Sequence, residues 1–430
     1  MKLFVRQVGT LFTGTVLAQV INLLAYPALT RTYSTAAFGE FSLFLSTASI
    51  IGTVACLRFD VVVQAAPFAQ RRVAHRLGIT FCAAIAIVAA LIWWMVFPIP
   101  QGSGGALSAA LLGIAIFFTG YTLSAQALLI KHERYRASTT AQVVRTLLTA
   151  IPQVLLFWLL PNALGLIVGY CLGTVVQAAM QARSLADVPA RSVNLRRLSA
   201  LFRRYRVYPL YDLPSALLAI TALYAGNYLV FDLFGASNAG VFALAFRLAA
   251  LPLALVASNL SEVYFQKASL AYAKGESVWP WMRFTLRLSG GLAILMILGI
   301  VLFARPVIDL YLGRRWAGVA EVVIALAPMM AIRLVSVAIG STALVLRRPQ
   351  WSLVANAGLL AILVGSWLAA RLWRLGFMDF LWLTSLASVA IYAGYILFMV
   401  RAVAGRHCNH RAGDTTVANR SASASQDADG

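Results

Sequence analysis

Long apolar runs alternate with short polar breaks along almost the whole chain. Crossing the hydrocarbon core of a bilayer takes about 20 apolar residues in α-helix. Read in such windows, the sequence predicts helices at 9–30, 38–57, 77–97, 105–130, 141–160, 162–182, 208–231, 238–262, 283–304, 317–345, 351–370 and 378–400. The expected fold class is therefore an all-α integral membrane protein of about twelve transmembrane helices. The first run continues through Asn22, Tyr26 and Pro27 without a small-residue cleavage pattern. It is longer than a signal-peptide core and is expected to stay in the mature chain.

The longest break divides the helices six and six. It is basic, and Arg196–Arg206 alternates basic and apolar residues at near-helical spacing, as a helix lying on an anionic inner leaflet does. The expected organisation is an N-terminal six-helix lobe over 1–184, a basic cytoplasmic linker over 185–206, a C-terminal six-helix lobe over 207–403 and a tail over 404–430. From Asp414 the tail is rich in Ser, Ala, Thr and Asp and reads as disordered. A shift of 201 positions sets Phe38-Gly39-Glu40-Phe41-Ser42-Leu43 on Ala239-Gly240-Val241-Phe242-Ala243-Leu244 without a gap. Six helices plus six in one orientation imply two lobes related by a pseudo-two-fold axis along the membrane normal. Transporters built so bind substrate between their lobes.

Composition agrees: 61% hydrophobic and 11% charged residues is far from the roughly one-quarter charged content of soluble domains. A net charge of +21 at first suggests nucleic acid, but its distribution excludes that partner. Basic residues cluster at Lys2 and Arg6, at Arg71, Arg72 and Arg76, at Lys131, Arg134 and Arg136, from Arg183 to Arg206, at Lys267 and Lys274, at Arg347 and Arg348, and in the tail. These segments alternate with poorer ones, which is the positive-inside pattern and predicts both termini in the cytoplasm. Cys56, Cys82 and Cys171 fall in apolar helices as small hydrophobes. Cys408, with His407 and His410, reads as tail rather than metal site. No metal or cofactor is expected, and no glycine-rich nucleotide loop is present.

Polar residues inside the predicted spans carry the candidate chemistry. Helix two holds Ser42, Ser46, Ser49, Thr53, Cys56 and Asp60 at alternating steps of four and three, along one stripe. Two readings stay open: small residues for tight helix packing, or one wall of an aqueous cavity, which Asp60 at the inner end favours as a coupling or gate residue. Helix one has a matching stripe of Thr15, Gln19, Asn22 and Tyr26, and helix seven carries Tyr224, Asn227 and Tyr228 after Pro209 and Pro214. The candidate cavity lining is Gln19, Asn22, Tyr26, Ser46, Ser49, Thr53 and Asn227. Arg247 and Arg333 fall near mid-membrane, where an arginine costs about 2.5–3.5 kcal/mol on insertion scales. None of the fourteen acids falls at that depth, which points to an anionic partner from outside the chain; a guanidinium fork suits phosphate. Arg145, a turn inside helix five, and Arg58, at the inner end of helix two, complete the candidate substrate-binding set, although snorkelling also accounts for Arg145.

Two segments resemble a family. Arg31-Thr32-Tyr33-Ser34-Thr35-Ala36-Ala37-Phe38-Gly39 resembles the first-loop pattern R-x-Y/L-S-x-x-x-F/Y-G of polysaccharide-biosynthesis flippases, and Leu57-Arg58-Phe59-Asp60-Val61-Val62-Val63 is similar to the stretch closing their helix two. These O-antigen, or Wzx-type, transporters belong to the multidrug/oligosaccharidyl-lipid/polysaccharide (MOP) superfamily. The resemblance implies a cationic central cavity. It also implies movement of undecaprenyl-pyrophosphate-linked oligosaccharide from the inner to the outer leaflet of a bacterial cytoplasmic membrane, with a polymerase and glycosyltransferases of the same pathway as partners. Ala65-Ala66-Pro67 ends the motif much as the family does. Two alternatives remain. A multidrug exporter of the superfamily would favour cavity carboxylates over arginines, and a membrane glycan polymerase or ligase would need a large outer loop or paired acids. The outer breaks are short and His75, His132, His407 and His410 all lie on the predicted cytoplasmic side, so no enzyme is expected.

Overall fold

A computed structural model describes residues 2–96, 104–187, 201–206, 208–316, 318–346, 348 and 350–426. Most of the basic linker, including Arg196 and Arg197, lies outside the described residues, as does the loop after helix three. Among the described residues there is no β-strand. In chain order the helices are α1 (Lys2–Thr32), α2 (Thr35–Val54), the short α3 (Phe59–Ala65), α4 (Phe68–Val96), α5 (Gly104–Lys131), α6 (Tyr135–Leu156) and α7 (Ala163–Ser184). They continue with α8 (Leu213–Pro252), α9 (Ser258–Ala273), α10 (Trp279–Leu312), α11 (Gly318–Gly340), the short α12 (Thr342–Val345), α13 (Gln350–Trp373) and α14 (Phe377–Gln426).

Within α8, Gly235 leaves the helical conformation at φ 79° and ψ 177°. Only glycine takes that backbone without strain, and the expected outer turn between helices seven and eight shrinks to this residue. Nine runs among the described residues are long and apolar enough to cross a membrane, one of them the 61-residue stretch Leu213–Ala273 that contains Gly235. α6 falls short by that measure. α1 carries the Thr15, Gln19, Asn22, Tyr26 stripe, and α6 carries Arg136, Gln142, Arg145 and Gln153. The polar residues of α6 lower its mean hydropathy below that of the other long runs. The tail differs outright: α14 continues as helix to Gln426 through residues expected to be disordered. A helix already nucleated extends at little cost per residue.

The chain forms two compact units, Met1–Ala245 with Pro306–Ala320, and Phe246–Arg305 with Glu321–Gly430. Their division does not fall at the basic segment 185–206. In the first unit, Phe59, Val62, Val63, Leu77, Leu128 and Leu129 form a core that Leu185 and Leu201 close. In the second, Tyr264, Met282, Ile339 and Met399 form one core and Leu253, Met330 and Leu334 another. Large apolar side chains such as Trp94, Trp158, Leu302 and Leu310 stay exposed, as helices facing lipid tails require.

The first-loop pattern is explained residue by residue inside the first unit. Tyr33 is fully buried; its hydroxyl donates to the Gln153 carbonyl at 2.7 Å and its ring meets Phe157 edge-on at 5.3 Å. Ser34 caps α2, accepting from the Ala37 N–H at 3.2 Å. Phe38 packs edge-to-face on Trp316, 5.0 Å between centroids, and the Trp316 indole donates to the Thr30 carbonyl at 2.8 Å. Trp316 is fully buried, so the Gly313–Trp316 turn is anchored on the C-terminal end of α1, and the Thr30 hydroxyl donates back to the Leu312 carbonyl at 3.3 Å.

Candidate functional site

Gly39 closes the pattern where α2 crosses α8. A Cβ on Gly39 would overlap the Ala236 carbonyl oxygen, and a Cβ on Gly240 would overlap the Thr35 carbonyl oxygen to the same depth. The shift of 201 that pairs Gly39 with Gly240 also pairs Thr35 with Ala236. The crossing is thus reciprocal: each glycine takes the other helix's equivalent carbonyl. Backbones this close make Cα–H···O contacts that no larger residue permits. Thr35 Oγ1 and Ser237 Oγ stand 2.6 Å apart at the same crossing.

Further along α2 from Gly39, the polar stripe meets α8. Ser46 is fully buried, donates to the Ser42 carbonyl at 2.7 Å, and accepts from Asn227 Nδ2 at 2.9 Å. The Asn227 carbonyl oxygen is buried with no hydrogen-bond partner. Thr47 and Tyr228 share a short hydroxyl contact beside an apolar groove of about 470 Å³ that includes Ile51, Val88 and Trp93. Phe41 faces Tyr170 of α7, and Gly52 abuts Thr119 of α5. On the helical wheel, Ser49 and Thr53 lie between these contacts and are half-buried, as are Gln19, Asn22 and Tyr26 on α1. Cys56, at the stripe's edge, donates to the Gly120 carbonyl at 3.2 Å.

Past the C-terminal end of α2, Leu57 and Arg58 both take left-handed backbone, φ 47° and 62°, in the link between α2 and α3. Two successive non-glycine residues there store strain of about 1–3 kcal/mol each. The link aims Arg58 at two carboxylates: its Nε lies 2.6 Å from Asp212 Oδ2 and its Nη1 3.5 Å from Asp60 Oδ2. Asp60 sits on α3, beyond the span, with 13% of its side chain exposed and Oδ1 buried without a hydrogen bond. Burial raises its pKa above the usual carboxylate range, and the neighbouring Arg58 charge offsets only part of that. Arg58 is thus engaged by acids of the chain itself. Arg145 is engaged as well: its guanidinium lies 5.5 Å over the Tyr170 ring and 3.5 Å from that hydroxyl.

In the second unit, Arg247 on α8 and Arg333 on α11 are half-buried, and Arg333 lies within electrostatic reach of the Tyr392 hydroxyl. Sequence reasoning missed Asp212 as the partner of Arg58, Tyr170 as the partner of Arg145, and the anchoring of Trp316. Only Asp212 left a signal, an acid near the start of the helix predicted over 208–231.

A family model described as polysaccharide biosynthesis protein matches residues 72–321. No curated protein matches the chain in sequence. Solved structures match its fold: the lipid II flippase MurJ in an inward closed conformation, with a TM-score of 0.72 and 13% identity, covering 91% of this chain and 87% of that one. A multidrug resistance MATE family transporter of the MOP superfamily, inward-facing, gives 0.64 and 14%, covering 92% and 95%. A MOP superfamily transporter from Pyrococcus furiosus gives 0.63 and 14%, covering 93% and 96%.

Proposed function

Because this chain belongs to the polysaccharide biosynthesis protein family, we propose that it flips a polyprenyl-pyrophosphate-linked oligosaccharide, an O-antigen or exopolysaccharide repeat unit, from the inner to the outer leaflet of a bacterial cytoplasmic membrane. It acts by alternating access through twelve spans in two six-helix lobes, with both termini in the cytoplasm, and is a transporter rather than an enzyme. Glycosyltransferases and a polymerase of the same pathway supply and consume its cargo.

The fold is common to flippases and multidrug exporters, so the cargo is argued from charge. The observation that carries the reading is the pair of half-buried guanidiniums, Arg247 and Arg333, within apolar helices of the second unit. A drug cation would be repelled there, whereas the planar fork of arginine matches a pyrophosphate. Arg247 and Arg333 hold the pyrophosphate while the polyprenyl tail stays in lipid. Gln19, Asn22, Tyr26, Ser49, Thr53 and Asn227 offer hydroxyl and amide groups to the glycan. Arg58, with Asp60 and Asp212, belongs to the inner gate.

Cell-surface glycan, normalised to protein level in cells lacking the native chain, tests this. A charge-assisted contact is worth about 1.5–3 kcal/mol, so Arg247→Ala or Arg333→Ala weakens cargo binding about tenfold to a hundredfold. Lysine restores only part of it, since it keeps the charge without the fork. Native-level display by both alanine variants would make the arginines structural and sink the reading.

A further inference from the structure

The stretch that leads into α8 is bound at one end and broken at the other. Residues 201–206 lie on the first unit: Leu201 enters its core, Phe202 stacks on Phe59 at 6.1 Å between centroids, and the Tyr205 hydroxyl donates to Gln70 Oε1 at 3.2 Å. Tyr208–Asp212 then form a single π-helical turn, which holds Pro209, and Pro214 follows in the first turn of α8. Neither proline donates a backbone hydrogen bond, so the helical ladder is interrupted on both sides of Asp212. Isolated π turns recur at functional sites. α3 packs against this turn as well as against α4 and α5, and Arg58, the residue before α3, bonds Asp212 across that contact.

One guanidinium here serves two carboxylates. With both acids ionised, Arg58, Asp60 and Asp212 hold one excess negative charge; a single proton makes the trio neutral. The geometry selects the acid that takes it. Arg58 Nε stands 2.6 Å from Asp212 Oδ2, whereas its Nη1 is 3.5 Å from Asp60 Oδ2. The Asp212 side chain is 42% exposed and keeps its hydration, while that of Asp60 is 13% exposed and its Oδ1 is buried without a hydrogen bond. Such an oxygen is costlier in the charged acid than in the neutral one. The other titratable side chains around α3 have partners of their own: Arg71 bonds the Ala66 carbonyl, Arg72 the Leu185 carbonyl, His75 the Ser124 hydroxyl and Cys56 the Gly120 carbonyl, and the Tyr121 ring meets His75 edge-on. Burial acts most strongly on Asp60; Arg58 and the Asp60 and Val61 N–H groups offset part of it, and Asp212 adds to it.

We propose that Asp60 is a proton-binding site that latches the start of α8: the neutral acid leaves Arg58 to Asp212, and loss of the proton draws the guanidinium back to Asp60 and frees the π turn. The proposal rests on the reading of Arg58, Asp60 and Asp212 as the inner gate, and supplies that gate with a regulator, the proton concentration on the side that the charge pattern assigns to the cytoplasm. The latched form holds Asp60 buried and binds the proton more tightly than an open, hydrated form. It is therefore favoured at low pH and gives way as pH rises through the raised pKa of the latched acid.

Double electron–electron resonance on the purified full chain in nanodiscs reads the latch without cargo. Spin labels go on cysteines at the exposed Gln64 of α3 and Leu217 of α8, with the four native cysteines replaced by alanine. Between pH 4 and pH 8 the ratio of long to short distances should rise about fivefold or more, since one linked proton allows up to about tenfold per pH unit. Asp60→Asn mimics the protonated acid and should keep the short distance throughout, with a change of less than about twofold. Asp212→Asn removes the partner of Arg58 on the π turn and should give the long distance at both pH values. A native distance that ignores pH, or a native pH response retained by either variant, overturns the proposal. If Asp60→Asn misfolds, Asp212→Asn decides by the same criterion. Failure of the flippase reading would appear instead in glycan display by the Arg247 and Arg333 variants, which this measurement does not involve.

Discussion

Placing one methyl group at the α2–α8 crossing is a stringent perturbation of the first unit. In Gly39→Ala the new Cβ would overlap the Ala236 carbonyl oxygen, whereas carbon and oxygen ordinarily rest about 3.3–3.6 Å apart. The helices must separate, and the reciprocal contact of Gly240 on Thr35 is lost with the first. Two Cα–H···O contacts contribute about 0.5–1 kcal/mol each, and the Thr35–Ser237 hydroxyl bond about 0.5–1.5 kcal/mol. Overpacking elsewhere costs about 1–3 kcal/mol when it is tolerated at all. A net penalty of about 2–4 kcal/mol on the closed crossing lowers its population roughly 30-fold to 700-fold. Disulfide trapping reads this directly. Cysteines replace Thr35 and Ser237, whose hydroxyls stand 2.6 Å apart, in a chain whose own cysteines are alanine, and cross-linking is followed in membranes after an oxidant pulse. Gly39→Ala and Gly240→Ala should each slow the cross-link at least tenfold. The double variant should slow it far less than the product of the two, because either methyl already opens the shared contact. Unchanged rates in both single variants, or fully multiplicative effects, would refute the reciprocal packing.

Asp60 gives a pH prediction. Its folded-state pKa is raised, chiefly by burial, so the folded protein is favoured below the unfolded value and loses that contribution as pH rises through the folded one. Asp60→Asn should therefore be at least as stable as the native chain at pH 7–8 and converge with it near pH 4, as thermal unfolding in detergent would record. A native chain that gains stability over Asp60→Asn as pH rises would contradict the burial argument. Trp316→Ala should destabilise the first unit by about 3–5 kcal/mol, the usual loss for a buried tryptophan, while Trp316→Phe loses the bond to Thr30 and costs about 1–3 kcal/mol. Equal unfolding midpoints for the two would show that the ring does not anchor the turn.

How far the molecule could be read in advance depends on the range of each interaction. Helices and polar stripes are local, so α2 with Ser42, Ser46 and Ser49 on one face follows from spacing alone. The pairing of Gly39 with Gly240 was visible as an alignment, yet nothing in a one-dimensional match says that aligned residues touch. Arg58 meets Asp212 across 154 positions, and the left-handed Leu57 and Arg58 that aim the side chain have no signature, since neither is glycine. Trp316 was illegible because one aromatic in a polar loop has no period. The helical course of α14 beyond Ala404 was missed because composition reports whether a segment can bury surface, not whether a helix already formed will run on.

The membership of Pro306–Ala320 in the first unit bears on how the chain is made. That unit is otherwise complete at Ala245, but its last piece emerges 75 residues later, at Ala320. At a synthesis rate of about 5–20 residues per second, the rest of the unit waits roughly 4–15 s for that piece. During that interval the Thr30 carbonyl and the Phe38 ring have no native cover, and α10 must be threaded before they receive it. Biogenesis of the first unit is thus tied to correct insertion of a helix that arrives late. A slip in the orientation of α10 would be registered at Thr30, 286 residues upstream of the Trp316 that α10 delivers.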